Sequence, residues 1–95
     1  MSLAELDAVI HAPKRLAAMA VLTGSDHVTF RFLVDHLAIT ESDLSKQMSA
    51  LEAAGYVKVH KSGRGRGSST SYSLTSTGRS AYRRYRTALQ ELLGD

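Results

Sequence analysis

The sequence predicts a mainly α domain with one small β-hairpin, and three observations carry that prediction. Leu44, Met48 and Leu51 recur at i, i+4 and i+7, the single apolar stripe of an amphipathic helix. After Gly55 the period drops to two, with Tyr56, Val57 and Val59 alternating with Lys58 and Lys61 until GRGRGSST interrupts and Tyr72 and Leu74 resume it. Finally, only residues 38–40 separate the striped helix from the apolar positions Phe30, Leu33, Val34 and Leu37 before it. So short a connection forces an angled helix-turn-helix pair.

Each element has its own signal. Ser2 and Glu5 form a capping-box pair for a short helix over about residues 3–10, with Leu3, Leu6, Val9 and Ile10 on its apolar side. Pro13 stops that helix and suits the first turn of the next, which runs to about residue 22, turns Leu16, Met19 and Ala20 inward and stops at Gly24. Residues 27–29 fit a short strand, and Thr29 caps the helix that follows. Thr40 with Asp43 three residues on can cap the striped helix, and Gly55 suits the left-handed residue past its end. The last helix spans about residues 76–93, with Ala81, Tyr82, Tyr85, Ala88, Leu89 and Leu92 on one side. The order helix, helix, short strand, helix, turn, helix, hairpin, helix is that of a winged helix-turn-helix.

At 95 residues the chain is expected to be one domain, residues 1–95, burying roughly two-thirds of the surface its unfolded chain exposes. No stretch approaches the roughly 18 apolar residues of a membrane span, and the first ten residues lack a signal peptide's basic start and apolar core. A cytoplasmic chain without membrane contact is expected. Zero cysteines agree with a reducing compartment and exclude thiolate metal sites.

Charge is segregated along the chain. Residues 57–86 hold eight Lys and Arg and no Asp or Glu, so this third carries +8 and, with the total at +3, the remainder −5. A solvated surface would interleave acidic residues, so the segregation points to a polyanion-facing side. About 100° per residue around the stripe Leu44, Met48 and Leu51 puts Ser42, Lys46 and Ser49 opposite, with Ser45 and Ala50 flanking. Such residues can face a major groove, where hydroxyls serve bases or phosphates and Lys46 reaches guanine acceptors or the backbone. Gln47 falls nearer the buried edge, where a base contact and a structural role both fit. In the hairpin, Arg64 and Arg66, flanked by glycines, can lie on phosphates or enter a narrow minor groove, with Lys58 and Lys61 adding backbone contacts. Arg79 falls in the first turn of the last helix, where the dipole disfavours a cation, and a phosphate partner is one explanation.

That last helix, near 28 Å at ~1.5 Å per residue, is longer than a small domain needs. Together with the first helix it offers a homodimer interface through Leu3, Leu6, Ile10, Tyr85, Leu89 and Leu92. His11, His27, His36 and His60 show no i, i+4 pair and no carboxylate cluster, so no metal site is expected and they read as scattered, partly buried side chains. No cofactor motif is present: GRGRG sits in a hairpin rather than before a helix, and nothing sets a nucleophile beside a base, so no enzyme is expected.

The chain resembles the winged-helix regulators of the MarR and ArsR type, and most closely a small stand-alone group. Its chains carry IHxPxRL near the start, LSxxLxxLExxGYV in the recognition helix and YxLTxxGR after the wing. Here VIHAPKRL stands at 9–16, LSKQMSALEAAGYV at 44–57 and YSLTSTGR at 72–79. The resemblance covers nearly the whole chain. It implies a homodimeric, sequence-specific double-stranded DNA-binding transcriptional regulator, with repression the expected outcome. A small-molecule effector between the dimer helices is consistent with it, although no constellation of residues names one. Two features depart from the group. Ala38 stands where glycine is common, which is tolerable if the turn avoids positive φ, and GRGRG replaces the acidic residue that often pairs with a wing arginine. The competing reading, a winged-helix docking module, predicts an apolar or acidic recognition face and a neutral wing. This chain has neither.

Overall fold

The computed structural model describes residues 3–63 and 69–94. The elements are α1 (Pro13–Thr23), β1 (Val28–Thr29), α2 (Phe30–Leu37), α3 (Glu41–Ala53), β2 (Val57–Ser62), β3 (Ser69–Leu74) and α4 (Ser76–Leu93), preceded by a 3-10 turn at Leu3–Glu5. The strands form an antiparallel sheet in the order β1-β3-β2, with Val28 and Val59 both opposite Tyr72. Four helices on a small three-stranded sheet make the expected winged helix-turn-helix. Among the described residues, no helix is long and apolar enough to cross a membrane.

The core draws on every element from α1 to α4: Met19 and Leu22 from α1, Leu33 from α2, Leu44, Met48 and Leu51 from α3, Val57 and Tyr72 from the hairpin, Ala81 and Tyr85 from α4. Leu33, Leu44 and Leu51 are fully buried, each contributing about 1.5–3 kcal/mol relative to an exposed position. Three threonines cap helices, Thr29 and Thr40 as their positions predict and Thr75 in addition. Thr29 Oγ1 accepts from Phe32 N–H at 3.0 Å, Thr40 Oγ1 from Asp43 N–H at 3.0 Å and Thr75 Oγ1 from Gly78 N–H at 2.9 Å. Each satisfies an amide that the helix leaves without an internal partner.

The structure corrects several expectations. Residues 3–10 do not form a helix. After the 3-10 turn, the Asp7 carboxylate accepts from Val9 N–H at 2.9 Å and Ile10 N–H at 3.2 Å, offering those amides a local alternative to helical bonds. In α1 the inward positions are Ala18, Met19 and Leu22, Leu16 is half-buried, and Ala20, about 100° beyond Met19, faces solvent. The turn between α2 and α3 does not avoid positive φ: Ala38 sits at φ 55°, ψ 45°. A Cβ there crowds the following carbonyl at a cost of roughly 1–2 kcal/mol. Gly55, at φ 81°, ends α3 as its sequence position predicts.

Gly78 answers to a different constraint. Its backbone packs so closely on the α3–β2 junction that an added Cβ would lie 2.1 Å from the Tyr56 carbonyl oxygen. That carbonyl accepts from Thr75 N–H at 3.1 Å, and Thr75 Oγ1 donates to the Gly55 carbonyl at 2.6 Å.

Two substitutions test this account by chemical denaturation. Ala38→Gly relieves the left-handed strain and, after glycine's greater unfolded-state entropy is offset, should stabilise the domain by about 0.5–1 kcal/mol. Gly78→Ala forces α4 off the Tyr56 backbone and should cost about 3 kcal/mol. A neutral Gly78→Ala would mean that the contact is looser than described.

Candidate nucleic-acid interface

Helix α3 buries Leu44, Met48 and Leu51, which leaves Ser42, Ser45, Lys46 and Ser49 exposed and Gln47 half-buried. Between α3 and the hairpin runs an open groove. Met48, Val59 and Tyr72 floor it, while Ser45, Ser49 and Glu52 on one side face Lys61 and Thr70 on the other. Burial first, and the nearby Glu52 carboxylate second, push the Tyr72 phenol above its usual range, so that ring is a neutral floor.

The structure brings Ser45, Ser49 and Lys61 into this groove, with Ser42 and Lys46 exposed on the same helix. It separates Lys58 from Lys61. Strand side chains alternate, so residues 57, 59 and 61 line the groove face and 58 and 60 the opposite face, where Lys58 lies near His60. Arg64 and Arg66 lie outside the described residues. Arg79 is exposed in the first turn of α4.

The other α4 arginines sit elsewhere. Arg83 and Arg84 line a second groove with Glu5, Thr87, Ala88 and Glu91, and the Arg86 guanidinium stands 6.0 Å from the centre of the Tyr82 ring. The basic third of the sequence is thus split in space between the hairpin and the flank of α4.

One further cation stands near the hairpin, Arg31, which the sequence reading did not single out. It lies in the first turn of α2 beside Thr29, Ser69 and Thr70 at the edge of the hairpin, and its guanidinium reaches Glu41 at the start of α3 at 3.5 Å. Arg31 belongs to the net-acidic part of the chain, so charge counting along the sequence gave no signal for it. Its two ion pairs, with Glu41 and with Asp35 at 3.8 Å, are exposed and contribute little to stability.

Of the six residues expected at a dimer interface, two are unavailable. Ile10 is fully buried and Tyr85 is 1% exposed within their own chain. Ile10 is drawn in by the Asp7 turn, and the Tyr85 hydroxyl hydrogen-bonds His11 Nδ1 at 2.7 Å. Leu6 and Leu89 are half-buried, whereas Leu3 and Leu92 are exposed and are joined at that end by exposed Leu93, which the sequence reading left out.

The histidines are less buried than expected: His11, His27 and His36 are exposed and His60 is half-buried. Nor are they all scattered. The His27 and His60 rings meet edge to face, centres 4.4 Å apart, on the sheet face away from the groove, and His60 Nε2 hydrogen-bonds Ser73 Oγ at 2.8 Å. Among the described residues, no three His, Asp or Glu side chains gather as a metal-binding group.

The fold and this geometry define a winged-helix domain in which α3 presents a small polar exposed face. Residues 14–93 match the model of the family described as winged helix DNA-binding domain, and the chain belongs to that family. No curated protein matches the chain. Solved structures do. The transcriptional regulator homologue protein from Pyrococcus horikoshii OT3 is 23% identical with a TM-score of 0.84, over 90% of this chain and 85% of its own. A possible transcriptional regulator for arsenical resistance is 26% identical, TM-score 0.71, over 94% and 86%. A putitive MarR-family regulator from Enterococcus faecalis V583 is 23% identical, TM-score 0.72, over 90% and 74%. The resemblance to regulators of the MarR and ArsR type holds at the level of the fold, and the family is that of the winged helix DNA-binding domain.

Burial first, then His27 and Lys58, push the His60 imidazole below its ordinary value. The folded chain therefore holds this proton less tightly than the unfolded chain does. Stability should rise with pH from the lowered value up to about 6.5 and be lost again as pH falls through that window. Urea melts between about pH 7 and pH 5 should show a smaller loss for His60→Gln than for the wild type. An unchanged slope would count against the pair.

Proposed function

We propose that the chain is a sequence-specific double-stranded DNA-binding transcriptional regulator that acts as a homodimer and represses by occluding a promoter. One observation carries the reading: in a chain of the winged helix DNA-binding domain family, the exposed face of α3 is small and polar and shares a groove with the basic hairpin. Serines and one lysine are suited to approach base edges, whereas a docking face would be apolar or acidic. Ser42, Ser45, Lys46 and Ser49 face the major groove, and Lys61 contacts the backbone beside them. Arg64 and Arg66 serve the phosphates or the minor groove. Arg79 is a further phosphate contact, while Lys58, on the opposite face of the hairpin, is a weaker candidate. Exposed Leu3 and Leu92 with half-buried Leu6 and Leu89 join two copies, each a single domain over residues 1–95. Their recognition helices then enter successive major grooves about one helical turn apart.

Fluorescence anisotropy on a mixed-sequence duplex across a salt series tests the reading. Arg64→Ala with Arg66→Ala should weaken all duplexes and reduce the salt slope by about two units. Lys46→Ala should change the sequence preference among duplexes selected from a random pool. Equal loss on every duplex for Lys46→Ala removes its base-reading role. No binding by folded protein even at low salt would instead favour a protein-docking module.

A further inference from the structure

Two neighbouring cations at the start of α1 grip the flank of α3. Arg15 is half-buried, and its Nε donates to the Val9 carbonyl at 2.6 Å while Nη1 donates to Gln47 Oε1 at 2.9 Å. The other end of the same amide, Gln47 Nε2, donates to Asp43 Oδ1 at 2.9 Å. Asp43 Oδ2 receives the Lys14 ammonium. Lys14 first, and the Gln47 amide second, hold the Asp43 carboxyl below its ordinary value.

A guanidinium only donates and a carboxylate only accepts, so the two partners fix which way the Gln47 amide points. Reading adenine with glutamine takes the amide oxygen and nitrogen together on one base. In Gln47 both atoms are turned toward protein. Asp43 and Gln47 lie one helical turn apart on the same flank, between the buried stripe and the exposed serines. A hold at i and i+4 adds to the buried stripe in resisting rotation of α3 about its axis.

We propose that Arg15 is a positioning residue for the recognition helix, and that Gln47 is the point by which α3 is held rather than a reader of bases. The proposal rests on the DNA-binding reading above. It also gives a task to the arginine of VIHAPKRL, whose side chain ties the Val9 carbonyl in the N-terminal segment to the helix that faces DNA. Lysine cannot replace it, because a single ammonium on a flexible stem lacks the planar fork that reaches two acceptors in fixed geometry.

The test uses two duplexes, one recovered by selection from a random pool with the wild-type protein and one of mixed sequence. Arg15→Met, Arg15→Lys and Gln47→Leu are measured on both at several salt concentrations. Each should bind the selected duplex on the order of tenfold more weakly and lose less on the mixed duplex. The base preferences and the salt slope should stay as in the wild type. Arg15→Met combined with Gln47→Leu should lose less than the sum of the two single losses, because both break the Arg15–Gln47 link. Relaxed preference at a single base pair in Gln47→Leu would make Gln47 a reader and overturn the proposal. A slope reduced by about one in Arg15→Met would make Arg15 a phosphate ligand and overturn it as well. Unchanged affinity for the selected duplex in all three variants would show that the link positions nothing. Should Arg15→Met fail to fold, Gln47→Leu carries the same comparison. Failure of the wild type itself to bind either duplex defeats the DNA reading, an outcome separate from all of these.

Discussion

The contact on which the rest of the molecule depends is the one between the Tyr56 backbone and the start of α4. The Tyr56 N–H donates to the Leu51 carbonyl at 3.0 Å and so closes the end of α3. Its carbonyl accepts from Thr75 N–H at 3.1 Å and lies against Gly78, where no Cβ would fit. Its hydroxyl donates to the Asp7 carboxylate, and that hydrogen bond first, with burial second, pushes the phenol above its ordinary value. One residue therefore joins the end of α3, the first strand of the hairpin, the root of α4 and the N-terminal segment. Both walls of the groove between α3 and the hairpin leave this junction.

The junction also explains how much of the fold was legible. The stretches GYV and LTSTGR are the two sides of one contact: Gly55 supplies the left-handed turn, Val57 the buried start of the strand, Thr75 the cap and Gly78 the close approach. The left-handed turn at Gly55 is local work and was read from its position, whereas the Thr75 cap and the close approach of Gly78 meet Gly55 and Tyr56 across the junction and were not singled out. Local in the same way as Gly55, the Thr29 and Thr40 caps and the stripe Leu44, Met48 and Leu51 fell where periodicity put them. The exposed face of α3 followed as the complement of that stripe.

What the sequence concealed depends on partners distant along the chain. The spacing of Leu3, Leu6 and Ile10 suits a helix, but Asp7 is held by Tyr56, 49 residues away, and turns the chain there instead. His27 and His60 share no helical spacing, and only the sheet, with β1 and β2 on either side of β3, brings them together. Lys58 and Lys61 look like a pair in a list of charges yet differ by an odd number of strand positions, which sends them to opposite faces. Gln47 could not be assigned from its helical angle because its amide is held by Arg15, 32 residues away.

The size of the proposed reading face constrains how α3 must be held. Serine carries its hydroxyl one carbon from the backbone, so Ser42, Ser45 and Ser49 can meet a base edge only if the helix lies deep in the groove at a fixed rotation. Longer side chains could absorb an error by changing rotamer, but serine has a single χ angle through which to do so. A helix reading with short arms is therefore expected to be anchored at both ends and along its flank, and α3 is. Thr40 caps its start, Leu51 and Tyr56 close its end, and Arg15 with Lys14 hold its side. The left-handed Ala38 belongs to the same pattern: residues 38–40 form so short a turn that the approach angle of α3 is set by the backbone at that position, even where an alanine must take a conformation that glycine adopts more easily.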